Sequence, residues 1–295
     1  MKKNFFKNLF TQNQNHVEQF VPEENKENLV NQETQEIDEK FIPEEAEWIR
    51  SHYIDCINQT CEFSGFDFEQ AVMLDVGCGD CLTTYGFLNL PIKKLVGLDI
   101  IKEREKHLND LPNRIANAGL EPPKEIDRFK HVYYDGRNFP FGEETFDFVF
   151  SWSAFEHVGD VDHVLSEIYK VLKQTGLCFV QVYPWYPTVH GSHLTDFIKE
   201  DFFHLKWNKA DIKKALDEIV EKEPEKKNFI LGHLWQEFLS LNGFSADMFY
   251  RSVQNSGFKI AKARLISFDQ DLRYAPATRS FSELMIMGTM MLLEK

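Results

Sequence analysis

The sequence predicts an α/β fold in which a doubly wound, mostly parallel sheet carries helices on both faces. Short apolar runs typical of buried strands alternate with longer helix-compatible segments through the middle of the chain. The first run, residues 72–76, ends in a glycine-bearing bend at 77–79, and the second, residues 94–98, ends in Asp99. Glycines at the carboxyl end of a parallel strand allow a sharp turn against a ligand. We therefore expect a nucleotide-type pocket at this edge.

Length and charge limit the classes of function. With 295 residues, the chain allows one large domain or two small ones with a substantial core. The formal net charge of −14 and the lack of a basic stripe argue against a nucleic-acid partner. Five cysteines, an odd number, in a chain without a secretory segment predict reduced thiols and a cytoplasmic location. The apolar runs are too short for stable membrane insertion. The oligomeric state stays open.

The amino-terminal part differs in composition from the rest. Residues 1–42 are rich in Asn, Gln, Glu and Lys and bury too little apolar surface to offset the entropy of ordering, so we expect a flexible polar tail. Order is expected from Pro43, which opens a helix whose first turn is acidic.

The chemistry of the bend indicates which nucleotide binds. A dinucleotide site has the pattern G-x-G-x-x-G, but here the third glycine is absent because Cys81 follows Asp80. Asp75 and Asp80 place carboxylates beside the bend, which suits a cationic ligand better than a diphosphate. Asp99 lies twenty positions beyond Gly79, where an acid binds a ribose diol. A ribose with a positive group and no pyrophosphate describes S-adenosyl-L-methionine.

An ordered series of motifs contains these residues. It comprises 74–80 (LDVGCGD), 97–100 (GLDI), Asp135, 146–151 (FDFVFS) and 167–176 (EIYKVLKQTG). The series resembles class I S-adenosylmethionine-dependent methyltransferases, and its last motif is similar to their small-molecule "type 11" branch. The resemblance covers residues 70–183 well and 245–295 more loosely. It implies a Rossmann-like, seven-stranded sheet whose last strand is antiparallel, with S-adenosyl-L-methionine as cofactor and S-adenosyl-L-homocysteine as product.

The cofactor site is expected along the carboxyl ends of the first four strands. In the family an acid at the third strand accepts a hydrogen bond from the adenine amino group, and Asp135 matches it; a plain turn aspartate explains Asp135 equally well. No metal is expected, because the C-x-x-C spacing of Cys78 and Cys81 has no second ligand pair. The expected cofactor-binding residues are Asp75, Gly77, Cys78, Gly79, Asp99, Ile100, Asp135, Gly136, Ser151 and Trp152.

Later elements follow the same alternation. A helix is expected from a cap at Asp160 to a stop at Gly176, followed by a fifth strand over 178–182. The sixth strand is expected over 258–266 and the seventh over 283–293.

About sixty residues separate the fifth strand from the next sheet signal. Loops this long are usually functional or carry their own elements. We therefore expect a methyltransferase domain formed by 43–183 and 244–295, and an inserted substrate-binding lid over 184–243. Aromatic residues and histidines alternate near the start of this insertion. The expected substrate-binding residues are Tyr183, Trp185, His190 and His204.

Methyl transfer from a sulfonium is an in-line displacement, so alignment of the reactants matters most. An oxygen nucleophile also gains from a base near neutrality, for which histidine is suited. We expect His157 or His193 to be that base, while the ordinary alternative for each is a packed or surface histidine. A divalent metal held by a histidine and Asp196, as in some sugar O-methyltransferases, is left open.

The sequence thus favours O-methylation of a small polar acceptor, such as a sugar or a surface-glycan or secondary-metabolite precursor. Two alternatives remain: a nicotinamide-dependent oxidoreductase, and a catalytically silent relative that keeps the fold for binding.

Overall fold

The computed structural model describes residues 44–102 and 108–295, so the tail expected over 1–42 lies outside the described residues. Seven strands form one sheet. They are β1 (Val72–Val76), β2 (Lys94–Asp99), β3 (Phe129–Tyr133), β4 (Phe146–Trp152), β5 (Leu172–Val182), β6 (Lys259–Ile266) and β7 (Gly288–Glu294).

The order of strands across the sheet is β3-β2-β1-β4-β5-β7-β6. The neighbours from β3 to β5 are parallel, whereas β7 is antiparallel to both β5 and β6. This confirms the expected mostly parallel sheet with an antiparallel last strand. The order also differs from the 3-2-1-4-5-6 order of the dinucleotide-binding fold, because β7 separates β5 from β6.

Helices connect and cover these strands. They are α1 (Glu44–Arg50), which continues through a π-helical turn (Ser51–Asp55) into α2 (Cys56–Ser64), then α3 (Leu82–Phe87), α4 (Leu111–Asn117), α5 (Val161–Val171), α6 (Phe203–Lys206), α7 (Lys209–Lys222), a π-helical segment (Asn228–Leu234), α8 (Trp235–Ser240), α9 (Ala246–Asn255) and α10 (Phe281–Met285). Short 3₁₀ turns occupy Ile126–Arg128 and Pro224–Lys226.

The sheet has an apolar core on each face. Successive side chains of a strand point to opposite faces, so Phe148 and Phe150 of β4 pack in one core and Val149 in the other. The first core includes residues of α2 and α3, and the second includes residues of α5 and α9. This confirms the prediction of helices on both faces.

Two element boundaries differ from the expectation. The helix expected to stop at Gly176 ends at Val171, because Leu172 already pairs with Phe146 of β4. A Cβ on Gly176 would lie 2.8 Å from Leu172 Cδ1, so this glycine permits close packing within β5. The seventh strand begins at Gly288 instead of 283, because Ser280 caps the short helix α10.

The inserted segment has a small core of its own. The side chains that form it are Leu194, Ile198, Phe203, Ile212, Leu216, Val220, Ile230 and Phe238. At the end of the insertion, the Asn242 amide donates to the carbonyls of Phe155 (2.7 Å) and Val158 (2.9 Å). The insertion is therefore attached to the loop that follows β4. Over 44–102 and 108–295, no helix combines the length and apolar character needed to cross a bilayer.

Candidate active site

The glycine bend joins three parts of the sheet edge. Gly77 has φ +75°, and its amide donates to the Leu98 carbonyl at 2.8 Å. The Gly79 amide donates to Asp99 Oδ2 at 2.9 Å. A Cβ on Gly77 would lie only 2.5 Å from Ala154 Cβ, in the loop after β4. The bend is thus held to the end of β2 and lies against the loop after β4.

Two buried acids line this bend. Asp75 accepts a hydrogen bond from the Thr84 hydroxyl at 2.6 Å. Burial raises the pKa of Asp75 to about 7; the Thr84 bond opposes the shift, and the nearby Asp99 and Asp80 add to it. The other oxygen of Asp99, Oδ1, accepts from the Ile101 amide at 2.8 Å. A carboxylate has about four lone-pair sites, so Asp99 can accept further hydrogen bonds from a diol.

The ends of β2 and β3 form an open ledge beside Asp99. The Tyr134 amide donates to the Asp99 carbonyl at 3.1 Å, which brings Asp135 next to the end of β2. Ile100 is 56% exposed, and a Cβ on Gly136 would lie 3.6 Å from its Cγ2. Asp135 is exposed and accepts from the Arg137 amide at 3.0 Å. The ledge offers an apolar side chain and a carboxylate to a flat ring.

A cysteine pair lies inside the bend. The Cys81 thiol donates to Cys78 Sγ at 3.5 Å, and both side chains are buried. The hydrogen bond from Cys81 and burial raise the pKa of Cys78. With His131 these cysteines bring three potential metal ligands within 4.8 Å of one another. Spacing alone did not reveal this group, because His131 comes from β3.

Ser151 and Trp152 make contacts within the protein. The Ser151 side chain is fully buried, and its hydroxyl donates to the Val76 carbonyl at 2.8 Å. The Trp152 indole donates to the Thr60 hydroxyl at 3.0 Å. These two side chains tie β4 to β1 and α2, and their role in cofactor binding stays a prediction of the sequence.

A second group of polar side chains follows β4. The rings of His157 and His193 have centroids 5.6 Å apart, so the structure brings the two expected catalytic histidines together. Glu156 lies with them, and the potential ligand atoms of all three are within 4.8 Å of one another. We call these three residues the Glu-His-His cluster.

Sequence reasoning missed Glu156. Its side chain is 2% exposed, and neither carboxylate oxygen has a hydrogen-bond partner among the other described residues. Burial raises the pKa of Glu156 to about 8, with a smaller contribution from Glu237 and an opposing one from its own amide. The available signal was the position of Glu156 directly before His157, at a sheet edge expected to bind ligand.

Helix α8 supports His157. The Nδ1 atom of His157 lies 2.8 Å from Ser240 Oγ, and Nε2 lies 3.4 Å from Glu237 Oε2. The insertion therefore contributes polar groups directly to this cluster.

A polar cleft of about 310 Å³ lies beside the start of the insertion and the loop between β6 and β7. The Oε1 atom of Gln270 is buried and has no hydrogen-bond partner in the described part of the chain. The His193 amide donates to the His190 carbonyl at 3.1 Å, so one turn connects the cleft with the Glu-His-His cluster. The lining combines the polar residues His190, Asp201, Asp269, Gln270 and Asp271 with the apolar residues Val189, Phe268 and Met287.

Three other residues expected to bind substrate are largely enclosed. Trp185 is 0% exposed, and its indole donates to the Thr289 hydroxyl at 3.2 Å. His204 is buried, its Nε2 lies 2.8 Å from the Tyr186 carbonyl, and burial lowers its pKa to about 4. Burial also raises the pKa of Tyr183. Trp185 thus ties the start of the insertion to β7, and His204 joins two parts of the insertion, so neither buried side chain is open to a ligand here and their substrate-binding role stays a prediction of the sequence.

A different cavity, of about 260 Å³, lies away from these groups. It includes Val72, Lys94 and Phe146, the first residues of β1, β2 and β4. Ligands of open parallel sheets bind at the opposite, carboxyl ends of the strands. This cavity is therefore separate from the candidate site.

In comparisons with known proteins, the part of the chain that matches is the region that contains the parallel strands of the sheet. Residues 74–180 match the sequence model of a family described as "Methyltransferase domain". The chain is similar to a sterol 24-C-methyltransferase of Pneumocystis carinii, with 33% identity over 111 residues, or 37% of this chain and 27% of that protein. It is also similar to the sterol 4-C-methyltransferase strm-1 of Caenorhabditis elegans, with 31% identity over 112 residues, which are 37% of this chain and 30% of that protein. The chain thus spans less than a third of these relatives.

Among solved structures, that of the [4+2]-cyclase SpnF is similar, with a TM-score of 0.50 and 14% identity; 82% of this chain and 80% of that chain are covered. At this identity the likeness concerns the fold alone.

Proposed function

We propose that the chain O-methylates a small polar acceptor with S-adenosyl-L-methionine as methyl donor, because residues 74–180 match the model of a methyltransferase domain. The acceptor class is a sugar or a surface-glycan or secondary-metabolite precursor. The expected family, enzyme class and cofactor are confirmed at the level of this domain. The activity of the whole chain, the acceptor and the cytoplasmic location are proposals.

The observation that carries the proposal is the grouping of buried acids and a glycine bend at one sheet edge. Asp75 and Asp99 come from neighbouring parallel strands, and the Gly79 amide is fixed on Asp99. No third glycine provides a cradle for a pyrophosphate, which favours a cationic nucleoside over a dinucleotide. In this arrangement Asp99 would hold the ribose diol, Ile100 and Asp135 the adenine, and the bend the amino-acid part. When bound, the cofactor supplies an electrophilic methyl group on sulfur.

The polar cleft supports an acceptor with several hydroxyl groups. Asp201, Asp269, His190 and the Gln270 oxygen, which has no partner in the described part of the chain, offer hydrogen bonds that a sterol ring system could not use. The third carboxylate of the lining, Asp271, is already bound by Arg273. The curated relatives are sterol C-methyltransferases, but they align with only 37% of this chain. We therefore favour a polar acceptor, with the insertion over 184–243 acting as its lid.

The Glu-His-His cluster is the proposed place of acceptor activation. His157 and His193 lie in the loop after β4 and in the turn that leads to the cleft, so a group bound there would be close to the glycine bend. Whether one of them acts as a general base stays a prediction of the sequence.

Titration calorimetry with S-adenosyl-L-homocysteine, followed by assays of labelled methyl transfer to a panel of sugars, glycan precursors and sterols, tests this function. We expect saturable binding of the demethylated cofactor and transfer to a hydroxyl-bearing acceptor. The Gln270→Ala variant should raise the acceptor KM and leave cofactor affinity unchanged. The matched control is Gln254→Ala, an exposed glutamine on α9.

Three results would contradict the proposal in different ways. Absence of cofactor binding together with binding of a nicotinamide would indicate an oxidoreductase. Tight cofactor binding without transfer to any acceptor would indicate a silent binding protein. Transfer to sterols alone would replace the polar acceptor by an apolar one.

A further inference from the structure

We propose that Glu156, His157 and His193 bind a divalent metal ion, and that this ion holds the hydroxyl group of the methyl acceptor. The role assigned to the ion rests on the proposed methyl transfer. The site itself rests on the geometry of the three side chains.

Burial of Glu156 is the first observation. An ionised carboxylate without a compensating partner is costly in the protein interior, so buried charges are normally paired or coordinate a metal. Neither carboxylate oxygen of Glu156 has a hydrogen-bond partner among the other described residues, and the basic side chains grouped with it are the two histidines of the cluster. A cation at the cluster would supply the missing compensation.

The hydrogen bonds of Ser240 determine which nitrogen of His157 carries a proton. The Ser240 hydroxyl has one hydrogen, and it donates that hydrogen to the Glu237 carbonyl at 2.8 Å. The same oxygen must therefore accept from His157 Nδ1 at 2.8 Å, so Nδ1 carries a hydrogen. In the neutral ring, Nε2 then carries the lone pair. Fixing one nitrogen as a donor is how proteins orient a metal-binding imidazole.

The lone pair of Nε2 points at a carboxylate. Glu237 Oε2 lies 3.4 Å from His157 Nε2, longer than the roughly 2.7–2.9 Å of a charge-assisted N–H···O hydrogen bond. Two atoms that both carry lone pairs repel each other unless a proton or a cation lies between them. A metal ion bound by His157 Nε2, Glu156 and His193 would supply that cation, with the Glu237 carboxylate beside it.

The spacing of the ligand atoms suits one ion. Bonds of about 2.0–2.2 Å place two ligands of the same metal at most about 4.4 Å apart. The atoms of Glu156, His157 and His193 are within 4.8 Å of one another, so small side-chain rotations suffice. Two imidazoles with carboxylates suit a first-row divalent metal such as Zn²⁺, Fe²⁺ or Mn²⁺.

The position of the cluster suits acceptor binding. Ala154 contacts the glycine bend, and the His157 amide donates to the Ala154 carbonyl at 2.9 Å. On the other side, His193 follows His190 of the polar cleft. An acceptor that binds in the cleft can thus reach the ion with one hydroxyl while that hydroxyl faces the bend.

The chemistry balances as a simple displacement. Coordination to the ion makes the acceptor hydroxyl more acidic and fixes its oxygen. That oxygen forms a bond to the methyl carbon as the carbon–sulfur bond breaks, and the electron pair of that bond stays on sulfur. The hydroxyl proton passes to water. The products are the methyl ether, neutral S-adenosyl-L-homocysteine and one proton.

Metal binding is tested directly on the full chain after treatment with a chelator. Titration calorimetry with Zn²⁺ and electron paramagnetic resonance with Mn²⁺ measure binding without any acceptor. We expect one ion per chain, and a loss of affinity of about tenfold or more in Glu156→Gln and in His193→Ala. The matched control is His190→Ala, a histidine in the same turn that should leave metal affinity unchanged.

Absence of stoichiometric binding, or binding that persists in both variants, would overturn the proposal. If Glu156→Gln fails to fold, as judged by thermal unfolding, His193→Ala alone decides, because the side chain of His193 is only half-buried. A parallel titration with S-adenosyl-L-homocysteine separates the two proposals. Cofactor binding without metal binding refutes the metal site alone, and metal binding without cofactor binding refutes the proposed function.

Discussion

The Gly79 amide donates a hydrogen bond of 2.9 Å to the carboxylate of Asp99, twenty positions further along the chain. This bond joins the turn after β1 to the end of β2, so the two segments expected to hold the cofactor form one unit. Because a second amide, that of Ile101, binds the other oxygen, the carboxylate is fixed in orientation. These two hydrogen bonds therefore fix the Asp99 carboxylate within the candidate site.

Replacement of Asp99 by alanine should weaken cofactor binding. The variant loses the proposed ribose contacts and the link to Gly79, and we expect a loss of about 1–3 kcal/mol in the binding free energy. That corresponds to a rise of about 5- to 150-fold in Kd for S-adenosyl-L-homocysteine by calorimetry. The control is Asp127→Ala, an exposed aspartate in a 3₁₀ turn. Equal affinities for Asp99→Ala and the wild type would remove Asp99 from the site.

Replacement of Gly77 by alanine should displace the bend. The new Cβ would lie 2.5 Å from Ala154 Cβ, and the residue would also keep an unfavourable positive φ. Gly65→Ala is a matched control, because Gly65 has φ +60° and a Cβ added there would meet nothing within 4 Å. The control should lose only about 1–2 kcal/mol of stability from backbone strain. Gly77→Ala should lose more stability than this control and should bind the cofactor weakly. Equal stabilities and equal cofactor affinities of the two variants would show that the close contact with Ala154 is unimportant.

The Asp75 carboxyl makes stability depend on pH. Burial is the main cause that raises its pKa from the ordinary 3.8 to about 7. At a pH between these two values, the folded protein retains a proton that the unfolded chain has released. This contribution to stability is complete below about pH 4 and is lost as the pH rises to 7 and above. Asp75→Asn removes the titration, so its free energy of unfolding should fall less between pH 5 and 8.

Urea unfolding of both proteins across that range measures the effect. The difference between the wild type and Asp75→Asn should change by up to about 4 kcal/mol between the fully protonated and the fully ionised carboxyl. Parallel curves for the two proteins would mean that Asp75 titrates at its ordinary pKa.

Trp185 should contribute to stability and not to acceptor recognition. Its side chain is 0% exposed, so Trp185→Ala should lower the free energy of unfolding by about 3–5 kcal/mol. Trp48→Ala is a control of the same chemistry at a side chain that is 46% exposed, and it should cost much less. A stable Trp185→Ala variant with a raised acceptor KM would restore the substrate-binding role predicted from the sequence.

Local patterns were enough to predict the sheet edge at which the glycine bend and the two acids meet, the proposed cofactor site. Asp75, Gly77, Gly79 and Asp99 are defined by residue type and by their distance from apolar runs, because a strand followed by a glycine bend has few alternatives. The antiparallel last strand followed from the family resemblance, since apolar periodicity does not give strand direction.

Contacts between distant segments could not be predicted. The backbone carbonyl of Glu156 accepts a hydrogen bond from the Asn242 amide at the end of the insertion. The orientation of the His157 ring depends on Ser240 in α8. Trp185 and His204 belong to an aromatic and histidine-rich pattern that suggests a binding surface, but sequence does not tell which side of an insertion faces the core. The helix ending at Val171 was missed for a similar reason, because pairing of Leu172 with β4 overrides the local glycine signal at Gly176.

A crystal structure of the chain with S-adenosyl-L-homocysteine tests whether this sheet edge is a cofactor site. We predict the ribose hydroxyls on the Asp99 carboxylate, the adenine between Ile100 and Asp135, and the sulfur on the side of the bend that faces Ala154 and the Glu-His-His cluster. A ligand bound elsewhere, or a bend left empty at saturating concentration, would contradict the account.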